Sequence, residues 1–535
     1  MKNLSRRGEP YIWITGGALA VSLVMTLGLI LLILVNGLGV FWPSEIVKVS
    51  LQDGSAAMGM VRMRESIPNP DDPKAPVKHR IQLQVGNRDL YGQDFRWIDE
   101  DAIKGRDIPL DAVLLERREW GHFCGFLKEL RIDGVATVTG SEAVWNEMVP
   151  RLAQARRQWD EMHHLAKKVI GENSRRQESL RLQIRGRELA GKPADDLTAQ
   201  IAALRGEYNR RDAELQKLRA EMDRVRIILA TVDGKEKDLL LAEVVRAVRP
   251  NTLGFFGKSG LYIGRVWEFL ADEPRESNTE GGVFPAIFGT VMMVFLMTLA
   301  VVPLGVLAAL YLREYARQGP LVRAVRIAVN NLAGVPSIVF GVFGLGFFVY
   351  FIGGSIDSLF YPEKLPSATF GEGGILWASL TLALLTVPVV IVATEEGLAA
   401  VPRDYRNGSL ALGANKFETT WRIVIPNALP GILTGVILAM ARAAGEVAPL
   451  MITGVIKYAP TLPVDGEWPF VHFERKFMHL GFHIFDVGFQ SPNVEAARPM
   501  VYTTTFLLLV IVVALNLVAI TVRNRLRAKL RSSTF

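Results

Sequence analysis

Two oppositely charged residues, Arg442 and Glu446, stand four positions apart in an otherwise apolar stretch that extends from residue 423 to residue 456. On a helix, this spacing brings a guanidinium and a carboxylate to the same face. A charge at membrane depth costs about 2.5 to 3.5 kcal/mol on insertion scales, so it normally faces protein or water and has a partner. We therefore expect Arg442 to attract an anion in a translocation pathway, with Glu446 orienting the guanidinium or contacting a proton on the anion. The alternative is a structural pair that only locks the helix.

A second segment of unusual composition, NGSLALGANKFETTWRIVIP at residues 407 to 426, lies between two long apolar runs. Small side chains allow another protein to approach the backbone closely, and a proline suits the first turn of the helix that follows. A helix-turn-helix with a glycine at its bend, on the cytoplasmic face, would fit the cleft of a soluble motor protein. The residues that carry this prediction are Ser409, Ala411, Gly413, Ala414 and Pro426.

The elements that position these residues are predicted to be six transmembrane helices. A helix needs roughly 20 consecutive apolar residues to cross the hydrocarbon of a bilayer. The fifth run would stop at Arg442, but apolar sequence resumes after Glu446, so one span is expected to contain both charges. The runs free of Asp, Glu, Lys and Arg are Tyr11 to Ser44, Gly281 to Leu312, Ile327 to Ile356, Gly373 to Thr394, Ile423 to Ala441 and Pro499 to Val522.

The distribution of basic residues predicts the orientation of these helices. Lys and Arg in short connections are retained on the cytoplasmic side, and Lys2, Arg6 and Arg7 precede the first run. With six spans, the basic segments at 313–326, 395–422 and 523–531 then also face the cytoplasm, as do both termini. The net charge of +7 comes from these basic segments, which would face the lipid of the inner leaflet, and it does not indicate nucleic-acid binding. The first run is too long for a signal-peptide core and is expected to be an uncleaved anchor.

Residues 43 to 280, between the first two spans, are predicted to form a periplasmic insertion of mixed α/β structure. Its single cysteine, Cys124, excludes an internal disulfide. Apolar alternation in residues 45 to 143 indicates a β-rich base. Residues 144 to 232 are predicted to form an antiparallel coiled-coil hairpin, and residues 233 to 280 a segment that returns the chain to the membrane. The heptad seam of the second hairpin helix comprises Leu197, Ile201, Leu204, Tyr208, Leu215, Leu218, Met222, Val225 and Leu229, with Arg211 at one core position.

The sequence contains no catalytic motif. GFFGKSG at residues 254 to 260 ends like a phosphate-binding loop, but Thr252 stands where that loop requires its first glycine. HExxH, GxSxG and Cys or His clusters are also missing from the sequence. We therefore expect no enzyme activity in this chain, and any energy for transport has to come from another subunit.

Several segments resemble the permeases of ATP-binding-cassette (ABC) importers. Gly413, Ile423 and Ile425-Pro426 match the spacing of the EAA loop in that family, although Asn407, Gly408 and Ser409 replace Glu-Ala-Ala. Residues 250 to 525 are similar to phosphate-transport permeases of the PstA type. In those permeases, the position that corresponds to Val447 is usually occupied by a threonine. The matching segments are NTEGGVFPAIFGT at 278–290, YLREYA at 311–316, NLAGVPSIVFGVFGL at 331–345, ALGANKF and ARAAGEVAPL.

This resemblance implies a fold, partners and a substrate. The fold is an all-α polytopic membrane protein of the type I ABC importer class, with a permease core at 281–522, the EAA-like loop at 395–426, an anchor at 1–44 and a basic tail at 523–535. The partners are a second phosphate permease of the PstC type, a cytoplasmic ATPase dimer of the PstB type and a phosphate-binding protein of the PstS type. The chain itself binds no cofactor, because ATP and Mg²⁺ belong to the ATPase. In the family, the Arg442–Glu446 segment matches positions implicated in transport.

Two alternative functions remain compatible with the sequence. The first is a permease for another oxyanion, sulfate or molybdate, which would share the loop. The second is a membrane-anchored coiled-coil scaffold, which would need neither the loop nor an intramembrane charge pair.

Overall fold

A computed structural model describes residues 9–67, 77–275, 278–466, 468–491 and 493–532. Lys2, Arg6 and Arg7, on which the predicted orientation depends, lie outside these residues, as does the end of the basic tail at 533–535. The chain divides into two compact units. The first contains the chain up to Gly39 and from Val283 onward, and the second extends from Val40 to Gly282.

Helices account for most of the first unit and for part of the second. In chain order, the helices of the described residues are α1 (Glu9–Gly39), α2 (Arg88–Tyr91), α3 (Ser141–His163), α4 (Gly171–Leu189), α5 (Asp195–Asp223), α6 (Phe255–Ala271), α7 (Phe284–Leu310), α8 (Pro320–Leu332), α9 (Ser337–Phe343), α10 (Gly354–Phe360), α11 (Ile375–Ala399), α12 (Arg403–Ala411), α13 (Lys416–Thr419), α14 (Ile425–Gly445), α15 (Ala448–Thr453), α16 (Leu480–Phe485) and α17 (Val494–Ser532). π-helical turns follow α3, α7, α9, α13 and α16, at His164–Ile170, Tyr311–Tyr315, Gly344–Gly353, Thr420–Val424 and Asp486–Gln490. Short 3₁₀ helices are Glu100–Ala102, Leu241–Glu243, Pro250–Thr252 and Pro362–Lys364.

The strands of the described residues lie in the second unit. They are β1 (Ile46–Leu51), β2 (Ala56–Ile67), β3 (Lys78–Gln84), β4 (Phe95–Asp99), β5 (Ile103–Asp107), β6 (Val113–Arg117), β7 (His122–Ile132), β8 (Val135–Thr139), β9 (Val225–Ala230), β10 (Glu236–Leu240), β11 (Val244–Val248), β12 (Pro274–Arg275) and β13 (Glu280–Gly281).

Among the described residues of the first unit, six helices are long and apolar enough to cross a membrane, which confirms the number predicted from the sequence. The fourth helix is the central one, because 67% of its most apolar stretch is buried, whereas the corresponding stretches of the first and last helices are not buried within the chain. These six are Tyr11–Gly39, Phe284–Tyr315, Ser337–Phe360, Ile375–Ala399, Lys416–Gly445 and Val494–Ala528.

The central helix α11 packs closely against α14. A Cβ added to Gly431 of α14 would lie only 2.7 Å from the Cα of Gly397 in α11, so the two backbones touch there. Small residues at such crossings allow membrane helices to gain dispersion energy by close packing. Beside this crossing, Leu398, Ala428 and Ile432 belong to one buried cluster. Another core cluster of the unit contains Met293, Met297, Leu382, Ala439 and Leu450, among others.

The third span begins later than predicted. The charge-free run starts at Ile327, but α8 ends at Leu332 and the spanning helix begins at Ser337. Pro336 explains the difference, because a proline inside a continuous helix removes a backbone hydrogen bond and clashes with the preceding turn. The residues before Ser337 therefore belong to a separate helix.

The described residues of the second unit form two large antiparallel sheets, a two-stranded pair of β12 and β13, and a helical arm. The first sheet has the order β4-β3-β2-β1-β5, and the second has the order β10-β9-β7-β6-β11 with β8 beside β7. The arm is inserted between β8 and β9, so the three strands after it complete the sheet begun before it. Val144, Met148 and Leu152 of α3 pack onto this second sheet in a shared core.

The arm consists of α3, α4 and α5, and its predicted seam extends too far. Helix α5 ends at Asp223, so Val225 and Leu229 belong to strand β9 and not to a helix. Residues 225, 227 and 229 alternate with period two, and a spacing of four fits a strand as well as a helix. The antiparallel coiled coil itself stays a prediction. Buried side chains along the arm include Met162, Leu165, Leu215 and Met222.

Candidate functional site

Arg442 and Glu446 form an ion pair at the C-terminal end of α14. The Arg442 Nε atom lies 3.5 Å from the Glu446 Oε1 atom. The Arg442 side chain is 34% exposed to solvent, and the Glu446 side chain is 20% exposed. At this distance the pair is an electrostatic contact and not a short hydrogen bond. Both groups therefore retain accessible surface that a ligand or another chain could contact.

The helix that carries Arg442 stops at this pair, contrary to the prediction of one continuous span. α14 ends at Gly445, and Glu446 is extended with φ −78° and ψ 135°. Pro449, in the first turn of α15, explains the break because it cannot donate the hydrogen bond that a continuous helix would require. Glu446 therefore caps α14, and its carboxylate meets Arg442 from outside the helix.

A short helix, α16, packs beside this break and was not predicted as part of the site. A Cβ added to Gly481 would lie 2.8 Å from the Val447 Cγ2 atom, so α16 contacts the residue that follows Glu446. The Leu480 backbone N–H donates a 2.9 Å hydrogen bond to the Thr290 hydroxyl of α7. His479, at the start of α16, is fully buried. The break between α14 and α15 is thus held in place by close packing against α16.

Gly413 forms the bend of the predicted coupling segment, between α12 and α13. Its φ of +89° lies in the left-handed region, which favours glycine. The Gly413 N–H donates to the Leu410 carbonyl at 3.0 Å, and the Ala414 N–H donates to the Ser409 carbonyl at 3.2 Å. This pair of hydrogen bonds is the Schellman motif, which ends a helix by satisfying its last carbonyl groups.

The helix after the bend begins with a capping box. The Glu418 N–H donates to the Asn415 side-chain oxygen at 2.8 Å, and the Asn415 N–H donates to the Glu418 carboxylate at 2.9 Å. The hydroxyls of Ser409 and Thr419 lie 2.9 Å apart and join the two arms of the bend. The segment is therefore held in one conformation by its own backbone and polar contacts.

Arg406 anchors the segment to the rest of the first unit. Its guanidinium donates to the Glu314 carboxylate at 2.9 Å, and to the carbonyls of Leu398 and Val401 at 2.7 Å and 2.6 Å. Sequence reasoning missed this residue, because Glu314 lies 92 positions away in the chain. A movement of the segment would therefore be transmitted to the ends of α7 and α11.

The predicted small residues surround an exposed apolar surface that sequence reasoning also missed. Leu412 is 91% exposed, and Phe417 and Trp421 are each 63% exposed with their rings stacked. Ala411 and Gly413 are exposed, Ser409 and Ala414 partly so, and Ile423, Ile425 and Pro426 are half-buried where α14 begins. We call Leu412, Phe417 and Trp421 the loop apolar patch.

The coupling segment and the charge pair lie at opposite ends of one helix. Pro426 is in the first turn of α14 and Arg442 in its last turn. Sixteen residues of helix correspond to about 24 Å. The structure thus does not bring the two predicted sites together, but connects them through a single helix.

Comparison with known proteins identifies the family. Residues 301–532 match the family described as "Binding-protein-dependent transport system inner membrane component". Both predicted sites lie within this range.

Three curated relatives match over 35% to 43% of this chain. The probable phosphate transport system permease protein PstA of Methanocaldococcus jannaschii is 36% identical, over 35% of this chain and 60% of its own length. The probable ABC transporter permease protein YqgI of Bacillus subtilis is 31% identical, over 43% of this chain and 74% of its own length. The phosphate transport system permease protein PstA of Mycobacterium leprae is 39% identical, over 35% of this chain and 54% of its own length.

The chain thus spans between about half and three quarters of these relatives. The extent of the YqgI match and the family match together confirm the family predicted from the motifs. The chain therefore belongs to the family of binding-protein-dependent transport system inner membrane components, and it is an integral membrane protein.

Proposed function

We propose that this chain is a transmembrane permease subunit of an ATP-driven importer of inorganic phosphate. The observation that carries the proposal is the single helix α14, which has the anchored coupling segment at its start and the Arg442–Glu446 pair at its end. A permease must convert movement at an ATPase into a change at a substrate pathway, and a continuous helix can transmit such a movement.

The loop apolar patch supports a protein partner for the coupling segment. Leu412, Phe417 and Trp421 expose large apolar surfaces on a segment that is rigidly capped and anchored. Exposed apolar side chains on a preorganised segment favour docking, because little conformational entropy is lost on binding. We propose that a dimer of cytoplasmic ATPases of the PstB type binds to this patch and that ATP and Mg²⁺ are used by that dimer.

The remaining partners and the orientation complete the proposal. A second permease of the PstC type would form the pathway together with this chain, and a binding protein of the PstS type would deliver phosphate to it. Both termini would face the cytoplasm and residues 43–280 the periplasm, as the basic connections favour. The chain would itself have no catalytic activity.

The assignment of phosphate as the substrate is supported by the charge pair and by the names of the relatives. Arg442 holds its carboxylate partner at 3.5 Å and keeps a third of its surface, so its guanidinium can still donate hydrogen bonds to an anion. Doubly and singly charged phosphate both fit this chemistry, because each keeps a P–OH group that can donate a hydrogen bond to the Glu446 carboxylate. Sulfate and molybdate are the oxyanions against which this assignment has to be tested.

In the proposed cycle, ATP closes the two ATPase subunits and moves residues 403–425. Helix α14 then carries the movement to Arg442, and the helices rock from an inward-open to an outward-open arrangement. Hydrolysis returns them and releases phosphate to the cytoplasm.

The experiment is ATP hydrolysis by the complex reconstituted with its ATPase, second permease and candidate binding protein. We expect stimulation by phosphate but not by sulfate or molybdate. Stimulation by another oxyanion would keep the transport mechanism and replace the substrate. An intact complex that shows no stimulation would contradict transport and favour the scaffold.

A further inference from the structure

Helix α6 of the second unit exposes an apolar face and buries its charged side chains, which is the opposite of a helix that packs on a core and faces water. Its charged side chains all turn inward and have partners. Lys258 lies 3.3 Å from Glu45, Arg265 donates to Glu116, and Glu268 lies 2.6 Å from Arg246. GFFGKSG is therefore part of a helix whose lysine has a carboxylate partner.

The opposite face of α6 is exposed and uncharged. Phe256, Ile263 and Trp267 are 89%, 67% and 70% exposed. At 100° per residue these three side chains share one face, together with Gly260 and Gly264, beside which the structure has no atom within 4 Å of an added Cβ. The Ser259 hydroxyl, on the same side, donates to the Phe255 carbonyl at 2.9 Å and so needs no water. We call Phe256, Ile263 and Trp267 the α6 apolar face.

The residues that pack against α6 and those that follow it are joined to membrane spans by short stretches of chain. The rings of Phe41 and Trp42 pack against Tyr262 of α6 at 6.3 Å and 6.0 Å between centroids. Phe41 is only two residues beyond Gly39, where the first span ends, so its Cα lies within about 8 Å of the end of that span. At the other end, α6 stops at Ala271 and the second span begins at Phe284.

We infer that α6 lies in the membrane–water interface and that the α6 apolar face is covered by lipid. Aromatic residues are enriched at this level of a bilayer, and interfacial helices bury an apolar face at the boundary between headgroups and acyl chains. The internal pairing of the three charges removes the desolvation cost that a charge on the lipid side would impose. Lipid rather than a second protein is favoured because the face offers no polar group for a specific contact and is tethered to membrane spans.

The proposal is tested in the complete transporter complex in nanodiscs of phosphatidylethanolamine and phosphatidylglycerol. A spin label is attached to Phe256→Cys, Ile263→Cys or Trp267→Cys. The single native cysteine, Cys124, is 1% exposed and does not compete for the label. Val35→Cys in the first span serves as the lipid reference, and Lys192→Cys, in the exposed turn after α4, serves as the water reference.

The measurement is the ratio of label collisions with oxygen, which dissolves in lipid, to collisions with a water-soluble nickel complex. We expect a ratio severalfold above that at position 192 and close to that at position 35 for all three labels. A ratio equal to the water reference would overturn the proposal. Exclusion of both reagents from all three labels would also overturn it, in favour of a protein that covers this face.

A second variant separates lipid from a docked helix. Leucine at Gly260 and Gly264 would block the close approach of another helix, but lipid would accommodate it. Lipid burial predicts that Gly260→Leu with Gly264→Leu leaves complex assembly and the three collision ratios unchanged. Loss of a partner subunit from the purified double variant would contradict lipid burial.

Discussion

Both units of this protein contain pairs of oppositely charged residues, but the pairs differ in burial and in hydrogen bonding. In the second unit, Glu116 is 7% exposed and accepts hydrogen bonds at 3.0 Å from both Arg246 and Arg265. In the first unit, Arg442 is 34% exposed and is paired with Glu446 at 3.5 Å. The first arrangement saturates a carboxylate from two sides, and the second leaves a guanidinium with donors available to a ligand.

This difference separates a charge that stabilises a fold from a charge that is available to a ligand. Burial alone would raise the pKa of Glu116, but the Arg265 and Arg246 guanidiniums outweigh it and hold the pKa at about 2. Glu116 is therefore ionised throughout the physiological range, and its capacity for hydrogen bonds is used within the domain. The Arg442 side chain stays partly exposed, and the proposed function assigns its free donors to an oxyanion, so removing the charge at Glu116 and at Arg442 should have different consequences.

The largest effect is expected when Glu116 is replaced by glutamine. This change keeps the shape but leaves Arg265 without its carboxylate and Arg246 with Glu268 alone, and breaking a buried pair costs about 3 to 5 kcal/mol. The measurement is amide hydrogen exchange of strands β6 and β11 in the full chain, where the opening free energy should fall by that amount. Phosphate uptake per correctly folded complex should be unchanged.

Glu45→Gln is the matched control for this variant. Its partner Lys258 lies 3.3 Å away, but Glu45 is 52% exposed, so the pair is worth about 0 to 1 kcal/mol. Equal losses of protection in the two variants would show that burial does not distinguish these carboxylates and would remove the basis of the comparison.

The next effect is expected for Arg442→Gln, which should leave assembly intact and lower phosphate uptake. Loss of charged hydrogen bonds to an anion corresponds to about 1.5 to 3 kcal/mol, or roughly tenfold to more than a hundredfold in affinity. The measurement is uptake of labelled phosphate by proteoliposomes that contain equal amounts of complex. The control is Arg523→Gln, whose guanidinium donates to the Thr434 hydroxyl at 3.2 Å. Normal uptake in Arg442→Gln would exclude a role in the pathway.

The sequence predicted the number of membrane helices because long charge-free runs report the hydrophobic effect directly. It did not predict where two of those runs break, at Pro336 and Pro449, because a hydropathy pattern is insensitive to a missing backbone hydrogen bond. The order of strands in the second unit depends on pairing across the inserted arm, and local periodicity contains no information about such pairing.

The candidate sites were predictable only in part for a related reason. Arg442 and Glu446 stand out because charge is rare in an apolar run. Leu412, Phe417 and Trp421 do not, since an apolar residue in the sequence looks the same whether it is buried or exposed. The contact between Arg406 and Glu314 joins two connections between membrane helices that only the folded helix bundle brings together.

A smaller effect is expected at the bend of the coupling segment. Gly413→Ala meets no neighbouring atom, so its cost is the strain of a left-handed backbone, about 1 to 2 kcal/mol. ATP hydrolysis should then couple less efficiently to uptake, measured as phosphate transported per ATP. Gly408→Ala is the control, because that glycine lies inside α12, also has free space and should tolerate alanine. Equal coupling in both variants would show that the conformation of the bend is unimportant.

The smallest effect concerns a pH dependence confined to the second unit. Burial lowers the pKa of His122, but the Glu280 carboxylate at 3.0 Å more than offsets this and raises it above the ordinary value. A raised pKa means that the folded domain binds the proton more tightly than the unfolded chain. The stability from this pair is therefore fully present below about pH 6.5 and is lost as the pH rises through the raised value.

Hydrogen exchange of β7, corrected for the intrinsic rate at each pH, should thus show weaker protection at alkaline pH. His122→Gln should flatten this dependence, and Arg442→Gln should leave it intact because that residue belongs to the first unit. If His122→Gln kept the full slope, the proton would have to be bound elsewhere in the domain. Glu116 stays ionised far below this pH range and so does not titrate here, but its negative charge lies opposite His122 in the β6–β7 pair and adds to the raised pKa of that group.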